Sequence, residues 1–280
     1  MNKIFLAMFV LFVLGGVSAG AFSVDSNTVA LWHFDEAAGN TTFDQTSNHN
    51  DGTIIGASWT NDSKFGSALE FNGIDNKVQI TKTPSVDITD KITLEAYVKI
   101  KSNSDGTVIS KNGPYFLAIR NNVVMGGIYA NNGIPGSNTW TEVHGTTSLA
   151  LDTWYYLKLI YDGNNISIYL NDALENSVTK SGQMPQVSQQ INIGWGEPGQ
   201  NQFFNGTIDE VRISNATRFP TLNPQPSLED RVAILEGKVV DLENKVDNLE
   251  HRTSLLEDIV QKIVKLIKHF PKGLVKDWDD

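Results

Sequence analysis

The stretch WYYLKLIYDGNNISIYLND, residues 154–172, decides the fold class of this chain. Apolar and polar residues alternate on both sides of DGNN (162–165), a run of turn-forming residues. Because successive side chains of a strand point to opposite faces, each run has the period of a β-strand. Two such runs around a short turn of Asp, Gly and Asn predict a β-hairpin.

Many further runs of the same kind lie between residues 22 and 217. ITLEAYVKI (92–100) places its aliphatic residues on one face and its polar and aromatic residues on the other. The other predicted strands are 28–34, 53–55, 68–72, 77–81, 107–110, 115–120, 123–129, 140–144, 191–194 and 207–214. Short strands separated by Gly, Asn and Asp turns predict an all-β sandwich of two antiparallel sheets, and no stretch in this region has convincing helical periodicity.

Composition excludes several classes of function. The chain has 280 residues, a formal net charge of −10 and a pI near 4.9, which argue against a nucleic-acid partner. It contains no cysteine, so disulfides, zinc thiolates and cysteine nucleophiles are excluded.

The first residues, MNKIFLAMFVLFVLGGVSAGAFS, have the layout of a secretory leader. One lysine precedes an apolar run from Ile4 to Val17, and small residues follow. We predict that residues 1–21 are a signal peptide, cut after Ala19 or Ala21, and that the protein is secreted, extracellular or at the cell surface. The alternative is an uncleaved anchor, although the apolar run is short for a full span.

The composition changes after the β-rich region. RFPTLNPQPS (218–227) carries three prolines and is predicted to be a semi-stiff linker. From residue 228 to residue 270 apolar residues recur in two series, each with a seven-residue spacing, which predicts a coiled-coil helix, with a tail at 271–280. The predicted oligomerisation residues are Arg231, Val232, Leu235, Glu236, Val239, Leu242, Val246, Leu249, Leu256, Val260, Ile263 and Ile267.

Charges beside these series favour parallel self-association. Bases such as Arg231 at successive g positions would face acids such as Glu236 at e positions of a neighbouring chain. RVAILE (231–236) resembles the Arg-aliphatic-x-x-aliphatic-Glu motif of parallel trimeric coiled coils. We predict a parallel homotrimer, with a dimer as the alternative because Val at a and Leu at d favour two strands.

The last segment, QKIVKLIKHFPKGLVKDW (261–278), is basic and amphipathic. It is expected to end the coil and cap it. The alternative is a weak contact with an anionic membrane surface or with a larger assembly.

Three stretches carry a family resemblance: LWHFDEAAGNTTFDQTSNHNDGTI (31–54), FGSALEFNGIDNKVQI (65–80) and FNGTIDEVRISNATRF (204–219). In this order they resemble the laminin-G-like (LamG-type) module of the concanavalin A-like lectin/glucanase superfamily. The opening WHFDE (32–36) and the closing GTIDEVRI (206–213) are its most specific parts. The resemblance implies a jelly roll over residues 22–217 and glycan or protein partners, often with a calcium ion.

Two aspartates of these motifs are candidate calcium ligands, because calcium takes carboxylate and carbonyl oxygens. The resemblance places Asp35 and Asp209 in paired opening and closing motifs, where carbonyls of the Gly39–Asn40 turn would complete a structural Ca²⁺ site. The alternative is that both aspartates form salt bridges or cap turns, with Arg212 as a neighbour.

Carbohydrate sites combine an aromatic ring with side chains that hydrogen-bond hydroxyl groups, on loops at the sheet rim or on its concave face. The predicted ligand-binding residues are Asn132, Trp140, Trp195 and Glu197. The alternative for the two tryptophans is that they only close strand ends. Trp32 and Trp154 lie in family strand motifs and are expected in the core.

The sequence argues against an enzyme. Hydrolases related to this fold carry a Glu-x-Asp-x-x-Glu arrangement on one strand, and Glu95 stands alone on its strand. No Gly-x-Ser-x-Gly, His-Glu-x-x-His or Walker motif occurs. We predict an exported, oligomeric protein that binds glycans or surface glycoproteins through multivalent heads. The alternatives are a structural spike subunit with protein partners only, or a polysaccharide hydrolase or lyase.

Overall fold

A computed structural model describes residues 21–103, 105–196, 202–220 and 228–269, with side chains of the last range described for residues 245–266. The chain divides into two compact units, the first ending at Phe219 and the second starting at Pro220. The strands of the first unit are, in chain order, β1 (Thr28–Trp32), β2 (Thr41–Thr42), β3 (Gly52–Ile55), β4 (Ser58–Thr60), β5 (Ala68–Asn72), β6 (Lys77–Ile80), β7 (Ile92–Ile100), β8 (Gly106–Lys111), β9 (Tyr115–Arg120), β10 (Val123–Ala130), β11 (Thr139–His144), β12 (Trp154–Tyr161), β13 (Asn165–Leu170), β14 (Ala173–Thr179), β15 (Ile191–Ile193) and β16 (Asn205–Ser214). A 3₁₀ turn spans Pro84–Val86, and helix α1 of the second unit spans Leu228–His269.

The strands form two eight-stranded sheets. The first sheet has the order β14-β13-β12-β7-β16-β5-β4, and β1 also pairs with β16. The second sheet has the order β11-β10-β9-β8-β15-β6-β3-β2. Neighbouring strands pair antiparallel, for example β7 with β12 and β9 with β10. The predicted all-β sandwich of two antiparallel sheets is therefore confirmed.

The hairpin that decides the fold class forms as predicted. In the turn, Asp162 Oδ1 accepts hydrogen bonds from the backbone nitrogens of Asn164 at 2.8 Å and Asn165 at 2.7 Å. Gly163 takes a φ of 93°, which a residue with a Cβ atom adopts with strain. The turn residues therefore favour the antiparallel pairing that β12 and β13 adopt.

One face of each sheet builds the core. Trp32, Leu94 and Leu159 from the first sheet and Leu117 and Ile193 from the second are fully buried in it. Burying side chains of this size contributes about 1.5–3 kcal/mol each. Trp32 thus lies in the core, as expected, whereas Trp154 is only half-buried and packs against a separate cluster outside it.

Strands β2, β4 and β14 were not predicted from the sequence. The last of these, ALENSVT at residues 173–179, is largely exposed and carries no apolar alternation. It forms because Asn171 and Asp172, both with positive φ, turn the chain back onto β13. Asn and Asp tolerate this conformation better than most residues.

Helix α1 confirms the helical periodicity of the C-terminal region. Among the described side chains, Val246, Leu249, Leu256, Val260 and Ile263 are each between 49% and 62% exposed on the single chain. The side chains of Arg231, Val232, Leu235, Glu236, Val239, Leu242 and Ile267 lie outside the described residues. Association into a coiled coil stays a prediction.

Candidate functional site: a cavity on the outer face of the second sheet

The second sheet turns an aromatic surface away from the core. Along β9 the residues alternate, so that Leu117 packs inside and Phe116 projects outside. The Trp140 ring of β11 lies 5.4 Å from the Phe116 ring and 5.5 Å from the Tyr129 ring of β10. Trp140 remains 39% exposed. These three rings, here called the aromatic platform, leave one indole available to a ligand.

A glycine makes room for the platform. Gly127 of β10 pairs with Phe116 on β9 and lies opposite Glu142 on β11. A Cβ atom at position 127 would lie 2.5 Å from Phe116 Cε1 and 3.3 Å from Trp140 Cζ3. Contacts this short require the rings to move, so the absence of a side chain at Gly127 sets their spacing.

Beside the platform lies a cavity of about 310 Å³. Its lining combines strands β8, β9 and β11 with the segments that flank residues 197–201. The lining residues are Thr107, Ser110, Lys111, Asn112, Tyr115, Phe116, Arg120, Trp140, Glu142, Gly196 and Gln202. This volume lies at the lower end of the range of small-ligand sites.

Several polar atoms of the lining residues lack a hydrogen-bond partner. Asn112 Oδ1, Arg120 Nε and Tyr115 Oη are buried and unpaired within the described part of the chain. Burial raises the pKa of the Tyr115 hydroxyl above its usual range, so this group stays a neutral donor. Buried polar atoms without partners are uncommon because each one loses its hydration without compensation. Tyr115 belongs to the core, whereas Asn112, with an unpaired acceptor, and Arg120, with an unpaired donor, line the same cavity as the exposed indole. This combination suits a ligand that carries hydroxyl groups on an apolar ring.

Trp195 lies close to the other end of this cavity. Its backbone oxygen accepts a hydrogen bond from Ser110 Oγ at 2.8 Å, and the following Gly196 lines the cavity. The ring of Trp195 stacks on Phe203 at 5.8 Å, and Lys77 Nζ lies 4.2 Å from its centroid. Trp195 is half-buried whereas Trp140 is exposed, so Trp140 is the better stacking surface.

Of the other two predicted ligand residues, the structure describes only Asn132. Asn132 does not line the cavity; its Oδ1 accepts a hydrogen bond from Lys180 Nζ at 2.7 Å and its Nδ2 donates to Thr139 Oγ1 at 2.8 Å. These bonds hold the loop between β10 and β11 to the buried ammonium group of Lys180. Glu197 lies outside the described residues.

The predicted calcium ligands lie at a loop of the first sheet. Asp209 Oδ2 accepts hydrogen bonds from the backbone nitrogens of Lys64 at 2.8 Å and Phe65 at 2.9 Å, and Asp35 Oδ1 accepts one from Ser67 at 2.8 Å. The two aspartates therefore hold the same loop by accepting hydrogen bonds from its backbone nitrogens. This is the role that the alternative prediction, turn capping, gives them. Burial raises the pKa of Asp209 to about 7.

The fit to calcium rests on one oxygen. Asp209 Oδ1 is buried without a hydrogen-bond partner, which leaves it available to a cation. The described residues contain no group of three or more His, Cys, Asp or Glu side chains that could hold a metal ion. Carbonyls would have to supply the remaining ligands, and those of Gly39 and Asn40 already accept hydrogen bonds from Trp59 and Ile54.

The outer face of the first sheet has a different character. Glu95 of β7 is 1% exposed, and its carboxylate accepts hydrogen bonds from Tyr156 Oη and, at 2.6 Å, from Arg212 Nε. Phe22, Leu31, Tyr97 and Tyr156 form a second buried cluster there, with Phe65 and Trp154 packed against it. The isolated glutamate is therefore held in an ion pair under a cover of aromatic side chains.

Several sequence predictions concern parts that the structure does not describe. Residues 1–20 of the predicted signal peptide (1–21), residues 221–227 of the predicted linker (218–227) and the predicted tail (271–280) lie outside the described residues. In the basic segment, Lys262 Nζ pairs with Asp258 Oδ2 at 2.7 Å on the solvent side of α1. Among the helices of the described ranges, none has the length and apolarity needed to span a membrane.

Comparisons with known proteins address the family and the fold. A family profile described as laminin G 3, concanavalin A-like lectin/glucanases superfamily, matches residues 72–221, more than half of the chain. No curated protein matches.

Three solved structures share the fold at low identity. The binding domain of Paraclostridial Mosquitocidal Protein 1 has a TM-score of 0.57 and 10% identity, with 69% of this chain and 49% of that one covered. The receptor binding domain of botulinum neurotoxin mosaic serotype C/D has a TM-score of 0.54 and 14% identity, covering 78% and 52%. The botulinum neurotoxin serotype G binding domain has a TM-score of 0.52 and 13% identity, with 69% of this chain and 48% of that one covered. The chain thus spans about half the length of these structures.

Proposed function

This chain belongs to the concanavalin A-like lectin/glucanases superfamily, and from that premise we propose that it is an exported binding protein for glycans or surface glycoproteins. The ligand would enter the cavity beside the aromatic platform. One observation carries this proposal: Asn112 and Arg120, whose Oδ1 and Nε atoms are buried and unpaired, line the same cavity as the exposed Trp140. The toxin structures are described as binding domains, which supports a binding role only in combination with this cavity.

The chemistry of a saccharide matches the lining. The Trp140 ring offers an apolar face to the C–H groups of a sugar ring, and such stacking adds to the area that it buries. Asn112 can accept a hydrogen bond from a hydroxyl, and Arg120 can donate one. We propose binding rather than catalysis, because these groups orient a ligand and none of them forms a nucleophile–base pair.

A glycan array with the full chain tests this proposal. We expect a positive glycan class, and we expect Trp140→Ala and Asn112→Ala each to weaken its binding about tenfold or more, which is about 1.4 kcal/mol. Phe43→Ala is the matched control, because Phe43 is 53% exposed near β2, at the opposite edge of the same sheet. An array without signal, or equal loss in the Phe43 variant, would direct the search to protein partners and to the structural-spike alternative.

We further propose that α1 joins three chains in parallel. Its seven-residue apolar spacing and the exposure of Leu249, Leu256 and Val260 on the single chain support this proposal. Apolar side chains in such a stripe stabilise a helix mainly when a partner covers them. Three heads on one stalk would raise avidity for an array of glycans without new contacts.

Light scattering on the purified protein measures the number of chains directly. A mass of three chains is expected, and replacing Leu249 and Leu256 with Asn should return the mass of one chain. A mass of two chains would select the dimer, and a single-chain mass for the unmodified protein would remove self-association from the proposal.

Calcium is proposed only as a structural ion at Asp209. If it binds there, melting temperature should rise with calcium relative to EDTA, because a ligand of the folded state stabilises that state. Asp209→Asn should remove the response. An unchanged melting temperature in the unmodified protein would assign Asp35 and Asp209 to turn capping alone.

A further inference from the structure

Phe22, near the start of the described chain, is a buried anchor. It is 9% exposed, whereas the adjacent Ala21 and Ser23 are both exposed. Its ring lies 5.6 Å from the Tyr97 ring, and the guanidinium carbon of Arg212 lies 4.2 Å from its centroid. The side chain therefore covers part of the outer face of the first sheet, whereas the cavity is lined by strands of the second sheet.

The backbone nitrogen of Phe22 meets a buried carboxylate. It donates a hydrogen bond to Glu210 Oε2 at 2.8 Å, and Glu210 is fully buried. The other carboxylate oxygen lies 2.6 Å from His33 Nδ1. One of the two oxygens of this acid is thus directed at a main-chain nitrogen.

The backbone of Glu210 is strained in order to reach that position. It has a φ of 53°, in a left-handed region that residues with a Cβ atom seldom adopt, at a bulge of β16 where the pairing with β7 shifts between Asp209 and Arg212. Bulges redirect side chains, and strained residues are concentrated at functional sites. His33, whose pKa is raised by its hydrogen bond with Glu210, faces one carboxylate oxygen, whereas the other oxygen has only the neutral amide of Phe22 as its donor. A charged donor would form a stronger, shorter bond with that second oxygen.

The sequence supplies a way to make that donor charged. Residues 19–21 read Ala-Gly-Ala, the small-x-small pattern that leader peptidases cut after its last residue. Hydrolysis of the Ala21–Phe22 bond consumes one water, leaves a carboxylate on Ala21 and frees the amine of Phe22, which takes up a proton at neutral pH. A cut after Ala19 would instead keep Phe22 in an amide bond.

We propose that the chain is cut between Ala21 and Phe22, and that the new α-ammonium group of Phe22 forms a buried ion pair with Glu210. Removal of the leader thereby fastens the mature N-terminus onto the first sheet. This inference rests on the export proposed above, and it distinguishes between the two cleavage positions that the sequence leaves open.

The first experiment reads the N-terminus. The full chain is expressed in a secreting host, and the first residue of the released protein is identified by mass spectrometry and Edman sequencing. Phe22 is expected, and Gly20 would overturn the inference. Retention of the uncut chain in the cell would overturn export itself, which is distinguishable because glycan binding is measured separately.

The second experiment tests the ion pair. Chains that begin at Phe22 or at Gly20 are released from a cleavable fusion partner, each with Glu210 intact or as Glu210→Gln. The Phe22 start should melt several degrees above the Gly20 start, and Glu210→Gln should remove most of that difference because it keeps an acceptor but no charge. Equal melting temperatures of the two starts with Glu210 intact would overturn the pair.

A labelling measurement keeps the inference testable if Glu210→Gln does not fold. An amine acylating reagent should modify the α-amine of the Phe22 start at least several-fold more slowly than that of the Gly20 start, because the former is buried and paired. Equal rates would overturn the inference.

Discussion

The outer faces of the two sheets are built from the same alternating strands, yet they differ in what covers them. On the first sheet, Phe22 and Phe65 cover a layer in which Glu95 is paired with Arg212. On the second sheet, Trp140 remains exposed beside a cavity with unpaired polar atoms. A satisfied polar layer stabilises the fold, whereas an unsatisfied one is available to a ligand. This difference separates the covered face from the face on which we propose that a ligand binds.

The largest expected effect comes from Glu95→Gln on the covered face. The change leaves the Arg212 guanidinium, itself only 13% exposed, without its counter-charge. We expect a loss of about 3 kcal/mol in the free energy of unfolding, measured by urea titration. Glycan binding by the folded fraction should be unchanged.

Glu70→Gln is the control for that measurement. Glu70 pairs with Lys101 Nζ at 2.6 Å, but both side chains are more than a third exposed. A loss below about 1 kcal/mol is expected. Similar losses for the two variants would mean that burial does not distinguish the covered face.

Two adjacent glycines offer an internal comparison between stability and binding. A Cβ atom at Gly126 would lie 2.1 Å from Leu159 Cδ1, on the core side. A Cβ atom at Gly127 would displace the Phe116 ring of the platform. We expect Gly126→Ala to lower the free energy of unfolding by about 1–3 kcal/mol, and Gly127→Ala to lower it less while reducing glycan affinity about tenfold.

Urea titration and an affinity measurement on both glycine variants check this prediction. If Gly127→Ala kept full affinity, the ring spacing of the platform would be irrelevant to the ligand. If Gly126→Ala lost as little stability as Gly127→Ala, Leu159 could move aside to accommodate the added methyl group, and the core at this point would not be tightly packed.

The smallest effect is expected for the ion pair between Arg218 and Asp25, near the start of the described chain. Arg218 donates two hydrogen bonds to Asp25, at 2.6 and 2.9 Å, and these hold the pKa of that carboxyl well below its usual range. A carboxyl whose pKa is lowered by folding stabilises the protein above its unfolded pKa of about 3.9, and this stabilisation is lost as the pH falls further. Because Asp25 is 47% exposed, Asp25→Asn should cost less than about 1 kcal/mol at pH 7.

Thermal unfolding of this variant and the unmodified protein at several pH values checks the sign. The difference between them should be present at pH 7 and should shrink as the pH falls below about 4. A difference that grew on acidification would contradict the ion pair.

The sequence predicted much of the fold because its signals are local. Strand alternation and the turn at DGNN (162–165) fix the hairpin, and the seven-residue spacing fixes the helix, through contacts between residues a few positions apart. The family resemblance carried by GTIDEVRI (206–213) is confirmed by the match over residues 72–221. The exposed strand β14 was missed because it lacks that alternation.

The candidate site was predicted only in part, for a related reason. Trp140 lines the cavity and Trp195 lies next to it, both recognisable as tryptophans near loops. Asn112, Arg120 and Gly127 carried no signal, because alternation shows which residues of one strand share a face but not which strands become neighbours. An unpaired Asn oxygen becomes visible only when every surrounding group has been placed.

What the sequence by itself determined is therefore the list of strands, the hairpin, the helix and the family. Only the tertiary structure decided which outer face is closed. Phe22 and Phe65 reach the first sheet from segments distant in sequence, and they meet Tyr97 on a central strand whose nine residues are all buried. The physical reason is that burial and hydrogen-bond satisfaction depend on every group packed around an atom, and no local pattern contains that information.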